Sequence, residues 1–517
     1  MSNPLLFLLL LLLSPLPTSS QLPRLHGYLL DCGSSTTTPS DIPGHQWIPD
    51  SPFISSGQPK NLSLPNLLPL LSTARSFPFT HPLHKFCYTL LSYRRGDYLV
   101  RATFFYGAIN GPDRPIPPVF DLIVDGTLLA VVNTTADYAA GRASYYEGVF
   151  RAKGKSMSVC VAGNTYTESE PFVNALEVVL MDGSLYNSTD FDKFALRLVA
   201  RNSFGEAGPI LRYPDDQFDR YWEPLTFSSI PVISGNQNLS TSEFWNLPPS
   251  KIFDTALTTD QGKLLEIQWP IPSLPNSSYY IALYFSDNSN SSLPGEPRKF
   301  DISINNVKFF NDLTVTSAGV AIFATSWPLS GLTKVTLSPT SGSSLPPLIN
   351  GGETFELIAV GGRTKTRDVI ALDNIKGSIH NPPLDWNGDP CWPRDYPWTG
   401  VTCSLGNLSR VVSLNLSSMD LSGSLSPRIA RLTALTDVLL GNNNFSGNIP
   451  DLGELRRLER LHLQNNQFSG EIPFTLGNLG NLRELFVQNN NLTGLIPSNL
   501  KKPGLQLQTS PGNHFLT

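Results

Sequence analysis

The last hundred or so residues carry a repeat whose spacing leaves little freedom in how the segment folds. The pattern L-x-x-L-x-L-x-x-N-x-L-x-G-x-I-P begins at Val411, Leu435, Leu458 and Leu482, so the copies are 24, 23 and 24 residues apart. The ninth position holds Met419, Asn443, Asn466 and Asn490, and the glycine position holds Gly423, Gly447, Gly470 and Gly494. An asparagine amide can satisfy backbone groups where the chain leaves a strand, and glycine permits the tight bend that follows. A steady period of this length predicts a solenoid of stacked turns.

The pattern is typical of leucine-rich repeats, with four repeats over residues 408–505, a remnant from Leu505 to Asn513, and a tail over 506–517. In such a stack the variable strand positions project from the concave sheet. The candidates for a partner surface there are Glu459, Arg460, His462, Arg483, Glu484 and Phe486. A solvated face without a partner explains these mixed charges equally well.

A second internal repeat lies before the solenoid. Tyr98–Tyr106 matches Tyr279–Phe285, Phe120–Val124 matches Phe300–Ile304, and Leu176–Leu180 matches Phe355–Ala359, at offsets of 181, 180 and 179 residues. Unrelated strands would not keep such a steady offset, and short alternating runs broken by Gly, Pro and Asn are typical of β-sandwiches. The sequence therefore predicts two copies of one sandwich, over 26–205 and 206–372, in a mainly β chain.

Residues 378–407 join the two parts. Within them, Asp385–Cys403 holds two cysteines, three tryptophans and three prolines, which is too rigid and apolar for a flexible linker. This composition predicts a stiff cap over the open end of the first repeat, closed by a Cys391–Cys403 disulfide. The chain has five cysteines, so any pairing among Cys32, Cys87 and Cys160 leaves one thiol over, and the sequence leaves that pairing open.

The N-terminus points to secretion. Residues 1–20 contain an apolar run from Leu5 to Leu13 and then small residues, which predicts a cleaved signal peptide. No later segment is apolar enough to span a bilayer, so a chain that stops at Thr517 is expected to be soluble, and one that continues would be anchored. Ten Asn-x-Ser/Thr sequons are predicted glycosylation sites: Asn61, Asn133, Asn187, Asn238, Asn276, Asn290, Asn407, Asn415, Asn444 and Asn491. A glycan on Asn415 would move the working concave surface to the later repeats.

Several short segments together resemble a known family. Tyr28–Gly33, Phe86–Tyr88, Leu99–Gly107, Phe120–Asp121 and Val159–Val161 resemble the tandem malectin-like ectodomain of plant cell-surface receptors, and Gly388–Cys391 resembles the GDPC element that joins it to leucine-rich repeats. The resemblance covers nearly the whole chain after residue 25. It implies an extracellular recognition module that binds a cell-wall carbohydrate or a secreted peptide, a partner receptor kinase or other cell-surface protein, or both. Family members with this layout usually continue into a membrane helix and a kinase, which this sequence does not contain.

The alternative is a soluble, wall-associated, lectin-like protein without a signalling partner. For sugar recognition the candidates are Tyr106, Tyr145 and Tyr146, which lie near predicted loops, although aromatic residues at strand ends often only cover a sandwich edge. The scattered histidines lie in no catalytic motif, so we expect no enzyme activity and no cofactor. A net charge of −5 without basic clusters argues against nucleic acid.

The linker between the predicted sandwiches contains three aspartates. A calcium site would need more ligands than Asp215, Asp216 and Asp219 offer, so we expect no metal there. We expect instead that Asp216 or Asp219 pairs with Arg212 or Arg220. Asp121 and Asp301 occupy matching places in the two copies, which predicts a shared structural role.

Overall fold

The computed structural model describes residues 26–42, 45–62, 64–79, 84–111, 113–235, 239–287 and 297–516. The predicted signal peptide and the sequons at Asn238 and Asn290 lie outside these residues. The chain is mainly β, with two sandwiches followed by a leucine-rich-repeat solenoid, which confirms the predicted fold class. No helix of the described part is long and apolar enough to cross a bilayer.

The first sandwich is built from thirteen strands and the short helix α1 (Thr135–Ala139). In chain order the strands are β1 (His26–Asp31), β2 (Thr38–Pro39), β3 (Gln46–Pro49), β4 (Gln58–Asn61), β5 (Thr73–Ser76), β6 (Lys85–Leu91), β7 (Asp97–Phe104), β8 (Phe120–Val124), β9 (Thr127–Val132), β10 (Ser144–Arg151), β11 (Ser156–Gly163), β12 (Phe172–Val173) and β13 (Ala175–Leu180).

The second sandwich repeats this plan. Its strands are β14 (Phe194–Phe204), β15 (Glu223–Leu225), β16 (Val232–Ser234), β17 (Thr255–Thr258), β18 (Leu265–Gln268), β19 (Leu274–Phe285), β20 (Arg298–Ile304), β21 (Val307–Val315), β22 (Val320–Gly331), β23 (Lys334–Pro339), β24 (Leu348–Ile349) and β25 (Gly351–Ala359).

Strand order shows the repeat directly. The four-stranded sheets run β6-β11-β8-β9 in the first copy and β18-β23-β20-β21 in the second. Opposite them lies one continuous sheet, ordered β2-β3-β1-β13-β7-β10-β14-β25-β19-β22, with β15 attached to β14. Position by position, β7, β10 and β13 correspond to β19, β22 and β25, so the steady offset found in the sequence reflects a real duplication.

Strand β14 is the place where the two copies meet. It pairs antiparallel with β10 through Gly148↔Arg197 and Val149↔Leu196, and along most of its length with β25. In the second copy β14 lies beside β25, just as β1 lies beside β13 in the first copy. The pairing thus favours a division before residue 194, whereas the sequence-based division at residue 205 assigned this strand to the first sandwich.

The long sheet is covered on both faces. Along β7, Tyr98, Val100, Ala102 and Phe104 enter the core between the sheets of the first sandwich, as alternation along a strand requires. Leu99 points the other way, into a second apolar cluster with Tyr186, Trp222 and Phe355. The linker between the copies therefore forms part of a third layer over the long sheet.

The solenoid follows strand β26 (Arg363–Thr364) and helix α2 (Thr366–Ser378). Its concave strands are β27 (Val401–Cys403), β29 (Val411–Asn415), β31 (Asp437–Leu439), β33 (Arg460–His462), β35 (Glu484–Phe486) and β37 (Gln506–Gln508). The remaining strands, which apart from β28 form the opposite sheet, are β28 (Leu408–Ser409), β30 (Ser422–Ser424), β32 (Asn444–Asn448), β34 (Gln467–Gly470), β36 (Asn491–Gly494) and β38 (His514–Phe515).

The repeat asparagines have the predicted role. The Asn443 side chain donates to the carbonyls of Leu416 and Leu440 at 2.7 and 3.0 Å, and its Oδ1 accepts from the backbone N–H of Leu421. Asn513 makes the equivalent bonds, accepting from Leu492 and donating to Val487. Because β37 and β38 extend both sheets, the residues expected to form a tail add a further rung to the stack.

Candidate recognition surfaces

The concave sheet brings the six predicted solenoid residues together. In β33 the side chain of Leu461 is buried, whereas Arg460 and His462 on either side of it project from the sheet. Strand β35 repeats this arrangement with Glu484 and Phe486. Glu459 and Arg483 lie just before these strands and are exposed. We call these six residues the concave strip.

Contacts between neighbouring rungs hold the centre of the strip in place. Arg460 forms an ion pair with Asp437, and His462 Nε2 lies 2.8 Å from Glu484 Oε2. The His462 ring stacks on Phe486, with 4.3 Å between ring centroids and 17° between planes. An ordered aromatic pair on an open sheet loses little side-chain entropy when a partner binds it.

The two outer charges of the strip are less constrained. Within the described chain, neither Glu459 nor Arg483 forms an ion pair. Asn415 is exposed on the first rung of the same sheet, so a glycan there would face the concave side. The strip therefore combines an aromatic centre with free charges of both signs at its margin.

The three predicted sugar-contact tyrosines have different environments. Tyr106 is 0% exposed, and its ring packs edge-on against Tyr138 within the core of the first sandwich. Its hydroxyl donates to the carbonyl of Arg114 at 2.5 Å. The ring has no open face, so the predicted sugar contact of Tyr106 is corrected to a core position.

Tyr145 and Tyr146 are neighbours on β10 and point to opposite faces of the sheet. The Tyr145 hydroxyl donates to Glu223 Oε1 at 2.8 Å, and burial raises its pKa. Tyr146 packs edge-on against Phe104, with its hydroxyl bonded to the backbone of Asn133. Both rings are half-buried, and their contact with a sugar stays a prediction.

A buried ion network joins the two sandwiches, and the sequence reading missed it. Arg101 of β7 contacts Glu147 of β10 at 2.8 Å and Glu177 of β13 at 2.9 Å. Arg201 of β14 contacts Glu147 at 2.8 Å and Glu353 of β25 at 2.8 Å, so one side chain links both copies. Burial alone would raise the pKa of Glu147, but the two arginines outweigh it and hold that pKa below its usual range.

The acidic linker forms the predicted aspartate–arginine ion pairs, and these lie beside the network. Arg212 pairs with Asp219 at 2.7 Å, and Arg220 pairs with Asp216 at 2.8 Å. Arg101 also donates to the carbonyl of Asp219. The described residues contain no group of three or more His, Cys, Asp or Glu side chains that could hold a metal ion. A signal for the network was present, because charged residues inside apolar strands must find partners when buried.

The cap docks on the first sandwich. The Tyr396 hydroxyl donates to Asp121 Oδ2 at 2.6 Å, and Lys85 Nζ donates to the carbonyls of Asp389 and Trp392 at 2.5 and 2.6 Å. Burial lowers the pKa of Lys85 to about 8. Gly388 has φ +64°, and a Cβ added to it would lie 2.8 Å from Cys87 Sγ. Glycine is therefore required here both by the backbone and by the closeness of the sandwich.

The disulfides fit this docking. Cys391–Cys403 closes the cap as predicted, and β27 pairs antiparallel with β29 over the end of the solenoid. Cys87–Cys160 links two neighbouring strands of the first sandwich, and both cysteines lie in an apolar cluster with Tyr396 of the cap. Cys32 is the remaining thiol and is buried.

Between the first sandwich and the residues that lead into the cap lies a cationic cleft of about 310 Å³. Its basic side chains are Arg94, Arg95, Arg151, Lys153 and Arg363. Arg151 pairs with Asp97 and Arg95 with Asp192, while Arg94 and Arg363 are exposed without an ion pair among the described residues. Asn407, a sequon residue, lies at the rim.

The eight sequon asparagines in the described part of the chain are all exposed: Asn61, Asn133, Asn187, Asn276, Asn407, Asn415, Asn444 and Asn491. Exposure is the condition that a glycan on folded protein must meet, and occupancy stays a prediction.

Comparison with known proteins agrees with this layout. A model of the malectin-like domain matches residues 30–357, a leucine-rich-repeat N-terminal domain matches 366–404, and leucine-rich repeats match 457–479 and 481–503. A probable LRR receptor-like serine/threonine-protein kinase of Arabidopsis thaliana is 31% identical over 83% of this chain and 47% of its own length. The probable LRR receptor-like serine/threonine-protein kinase MEE39 of the same plant is 30% identical over 78% of this chain and 46% of its length. The chain thus spans about half the length of these curated relatives.

Solved structures show the same fold. The ANX2 ectodomain from Arabidopsis thaliana superimposes with a TM-score of 0.53 at 17% identity, over 64% of this chain and 97% of the other. A structure of plant peptide RALF23 in complex with FER and LLG2 matches with a TM-score of 0.50 at 20% identity, over 64% of this chain and 95% of that one. The match of the malectin-like model to more than half of the residues shows that the chain belongs to the malectin-like family, with leucine-rich repeats after the malectin-like part.

Proposed function

We propose that this chain is an extracellular recognition module without catalytic activity, and that its concave strip binds the ectodomain of a partner receptor kinase. The receptor-like relatives and the malectin-like fold support a recognition role. The observation that carries the partner proposal is the ordered His462–Phe486 stack, flanked by Glu459 and Arg483. Buried aromatic anchors surrounded by charged margins are typical of the energetic centres of protein interfaces.

The test uses a substitution on the strip and a matched one elsewhere on the solenoid. Phe486→Ala removes the aromatic anchor, whereas Phe474→Ala removes an aromatic ring that is 61% exposed in the short helical turn that follows β34. Tagged chain, added to intact plant membranes and recovered by affinity capture, is expected to retain a receptor kinase, and only Phe486→Ala should lose it. Capture that is unaffected by Phe486→Ala, or that recovers no receptor kinase, would contradict the proposal.

The cationic cleft supports a second candidate function, in which the sandwiches bind an acidic ligand. The FER structure is of a complex with the plant peptide RALF23, which supports a ligand-binding role for the sandwiches. Here Arg94 and Arg363 offer unpaired guanidinium groups in one cleft, which favours carboxylate ligands because arginine binds them in a bidentate manner. We infer that the cleft takes an acidic cell-wall carbohydrate.

Two probes of the same sugar backbone that differ in charge test this inference. An oligosaccharide of uronic acids should bind, its methyl ester should not, and affinity for the acid should fall with added salt. Arg94→Glu with Arg363→Glu should abolish binding, whereas Lys308→Glu on the exposed part of the second sandwich should leave it unchanged. Equal binding of acid and ester would overturn the inference. A chain that binds the acid but captures no receptor kinase would instead be a wall-associated lectin-like protein.

A further inference from the structure

The duplication exposes an edge in the second copy that is covered in the first. Ser144 of β10 lies opposite Phe104, and Val320 of β22 lies opposite Phe285, which is the matching position of the duplication. Counting along the two strands makes Ala324 the equivalent of Gly148. The outer edge of β10 is occupied at Gly148 and Val149, where β14 pairs with it antiparallel. This molecule therefore shows that such an edge accepts a strand.

Strand β22 ends the long sheet, and no other described strand pairs with its outer edge. Its twelve residues contain no charge, in contrast to β21 of the same sandwich, which has Lys308 and Asp312. Soluble proteins usually guard long edge strands with charges, proline or a short length. Pro328 interrupts only the far end, so residues 320–327 form an unguarded edge.

The side chains indicate what kind of strand this edge accepts. In β10 the position before Gly148 is Glu147, which pairs with Arg201 of the incoming β14. The equivalent residue of β22 is Phe323, which is 37% exposed and stacks on Trp245 with 4.4 Å between centroids and 1° between planes. A strand docked here therefore meets an aromatic surface instead of a carboxylate, and must be extended, uncharged and partly apolar. Strand β22 itself meets this description.

We propose that β22 strands of two copies of this chain pair antiparallel across a two-fold axis beside Ala324, joining their long sheets. Symmetric dimers use the same patch on both subunits, and an uncharged strand places no like charges opposite each other. The cap contacts named above lie on the first sandwich, at Lys85, Cys87 and Asp121, so they leave this edge clear. The dimer is independent of the receptor-binding role proposed for the concave strip.

Sedimentation velocity of the secreted chain over a range of concentrations tests the proposal. A monomer–dimer equilibrium is expected, and Ala324→Lys or the exposed Ser326→Lys should weaken it by about tenfold or more. Ala324→Lys places two lysines opposite each other across the axis, and Ser326→Lys places a charge opposite the apolar Ile322 of the other copy. Val307→Lys places the same charge on β21, at a residue that is 57% exposed, and should have no effect. Unchanged thermal unfolding of Ser326→Lys would show that the variant still folds.

Cross-linking locates the axis. Ala324→Cys should give a disulfide-linked dimer under mild oxidation, and Val307→Cys should not. Wild-type chain that stays monomeric at every concentration, or a dimer that is insensitive to both lysine variants, would overturn the proposal. A chain that stays monomeric yet binds a synthetic peptide of residues 320–327 would also overturn it, because the edge would then accept a free strand but not a second copy.

Discussion

The two sandwiches share their strand order but differ at the positions that meet other parts of the chain. On the four-stranded sheet of the first copy, Cys87 and Cys160 form a disulfide beneath the cap. The same positions of the second copy are Glu266 and Thr336, which are paired across β18 and β23, and Glu266 forms an exposed ion pair with Lys334. This surface is therefore apolar in the first copy, where the cap docks, and carries the charged Glu266 in the second copy, where it is exposed to solvent.

The β8–β9 hairpin and the β20–β21 hairpin share the geometry of one turn residue but differ in the partner of a nearby aspartate. Asp125 and Asn305 both have left-handed φ, and both accept a backbone N–H at Oδ1, from Ser158 and Lys334 respectively. Asp121 accepts from Tyr396 of the cap, whereas Asp301 accepts from the backbone of Asp312 in its own hairpin. Asp121 and Asp301 are therefore both structural hydrogen-bond acceptors, but their partners differ because the cap contacts Asp121.

Removing the side chain that couples the copies should have the largest effect. Arg201→Met leaves Glu147 and Glu353 buried with fewer partners, and loss of one partner of a buried ion pair costs up to about 5 kcal/mol. We expect lower thermal stability and faster hydrogen exchange in β10 and β25. Lys334→Met removes an exposed pair of the second copy and should cost less than about 1 kcal/mol. Similar losses for both variants would show that the network does not couple the copies.

Removing the disulfide under the cap should cause the second largest loss of stability. Cys87→Ala with Cys160→Ala opens a link between residues 73 apart, and a loop of that length corresponds to about 4 kcal/mol of lost stability. The change also removes apolar contacts with Tyr396. Glu266→Ala with Thr336→Ala alters the equivalent positions of the second copy and should be nearly neutral. Denaturant unfolding, followed by the fluorescence of the cap tryptophans, distinguishes the two double variants.

Asn305 is the turn residue of the β20–β21 hairpin that matches Asp125 of the β8–β9 hairpin. Replacing Asp125 by asparagine should therefore change how stability depends on pH. Burial raises the pKa of Asp125 to about 6, against about 3.9 in an unfolded chain. The folded protein then binds more protons than the unfolded one between these values, so the stability contributed by Asp125 is complete below about pH 4 and is lost as the pH rises through 6. The asparagine in Asp125→Asn neither gains nor loses a proton between pH 4 and pH 6, so this variant lacks that contribution to the pH dependence.

Relative to wild type, Asp125→Asn should therefore gain up to about 3 kcal/mol between pH 4 and pH 7. Thermal midpoints of both proteins across this range measure the difference. The reciprocal change, Asn305→Asp, lies at a half-buried site of the uncapped copy and should show a smaller pH dependence. Parallel pH profiles for wild type and Asp125→Asn would contradict the assignment.

Periodic features were predictable from the sequence because they depend only on local spacing. The offset of about 180 residues and the asparagine positions fixed the two sandwiches and the solenoid, and the short Cys391–Cys403 segment fixed one disulfide. The Cys87–Cys160 pair was not predictable, because it depends on the register of two strands far apart in the chain.

Contacts between distant segments were also beyond the sequence. Lys85 and Asp389 are 304 residues apart, and nothing local to either shows that they meet. The predicted sugar contact of Tyr106 failed for a related reason. The sequence at the end of a strand does not show whether a loop from elsewhere in the chain covers it. The charged residues inside β7 and β14 did signal burial, but the identity of their partners came only from the sheet order.

The smallest effect concerns the hydrogen bond that distinguishes Asp121 from Asp301. Tyr396→Phe keeps the ring in its apolar cluster and removes only the hydroxyl that donates to Asp121, which leaves that carboxylate with Asn164 as a donor. Hydrogen bonds to charged groups contribute about 1.5 to 3 kcal/mol, so we expect a loss of about 2 kcal/mol in the free energy of local opening. Hydrogen exchange should rise in the cap and in β8 but not in β20. Asp301→Asn, which retains an acceptor for Asp312, is the control in the second copy. A rise of equal size in β8 and β20 would mean that the bond is not specific to docking, and the contrast between the copies would then rest on the disulfide and the hairpin alone.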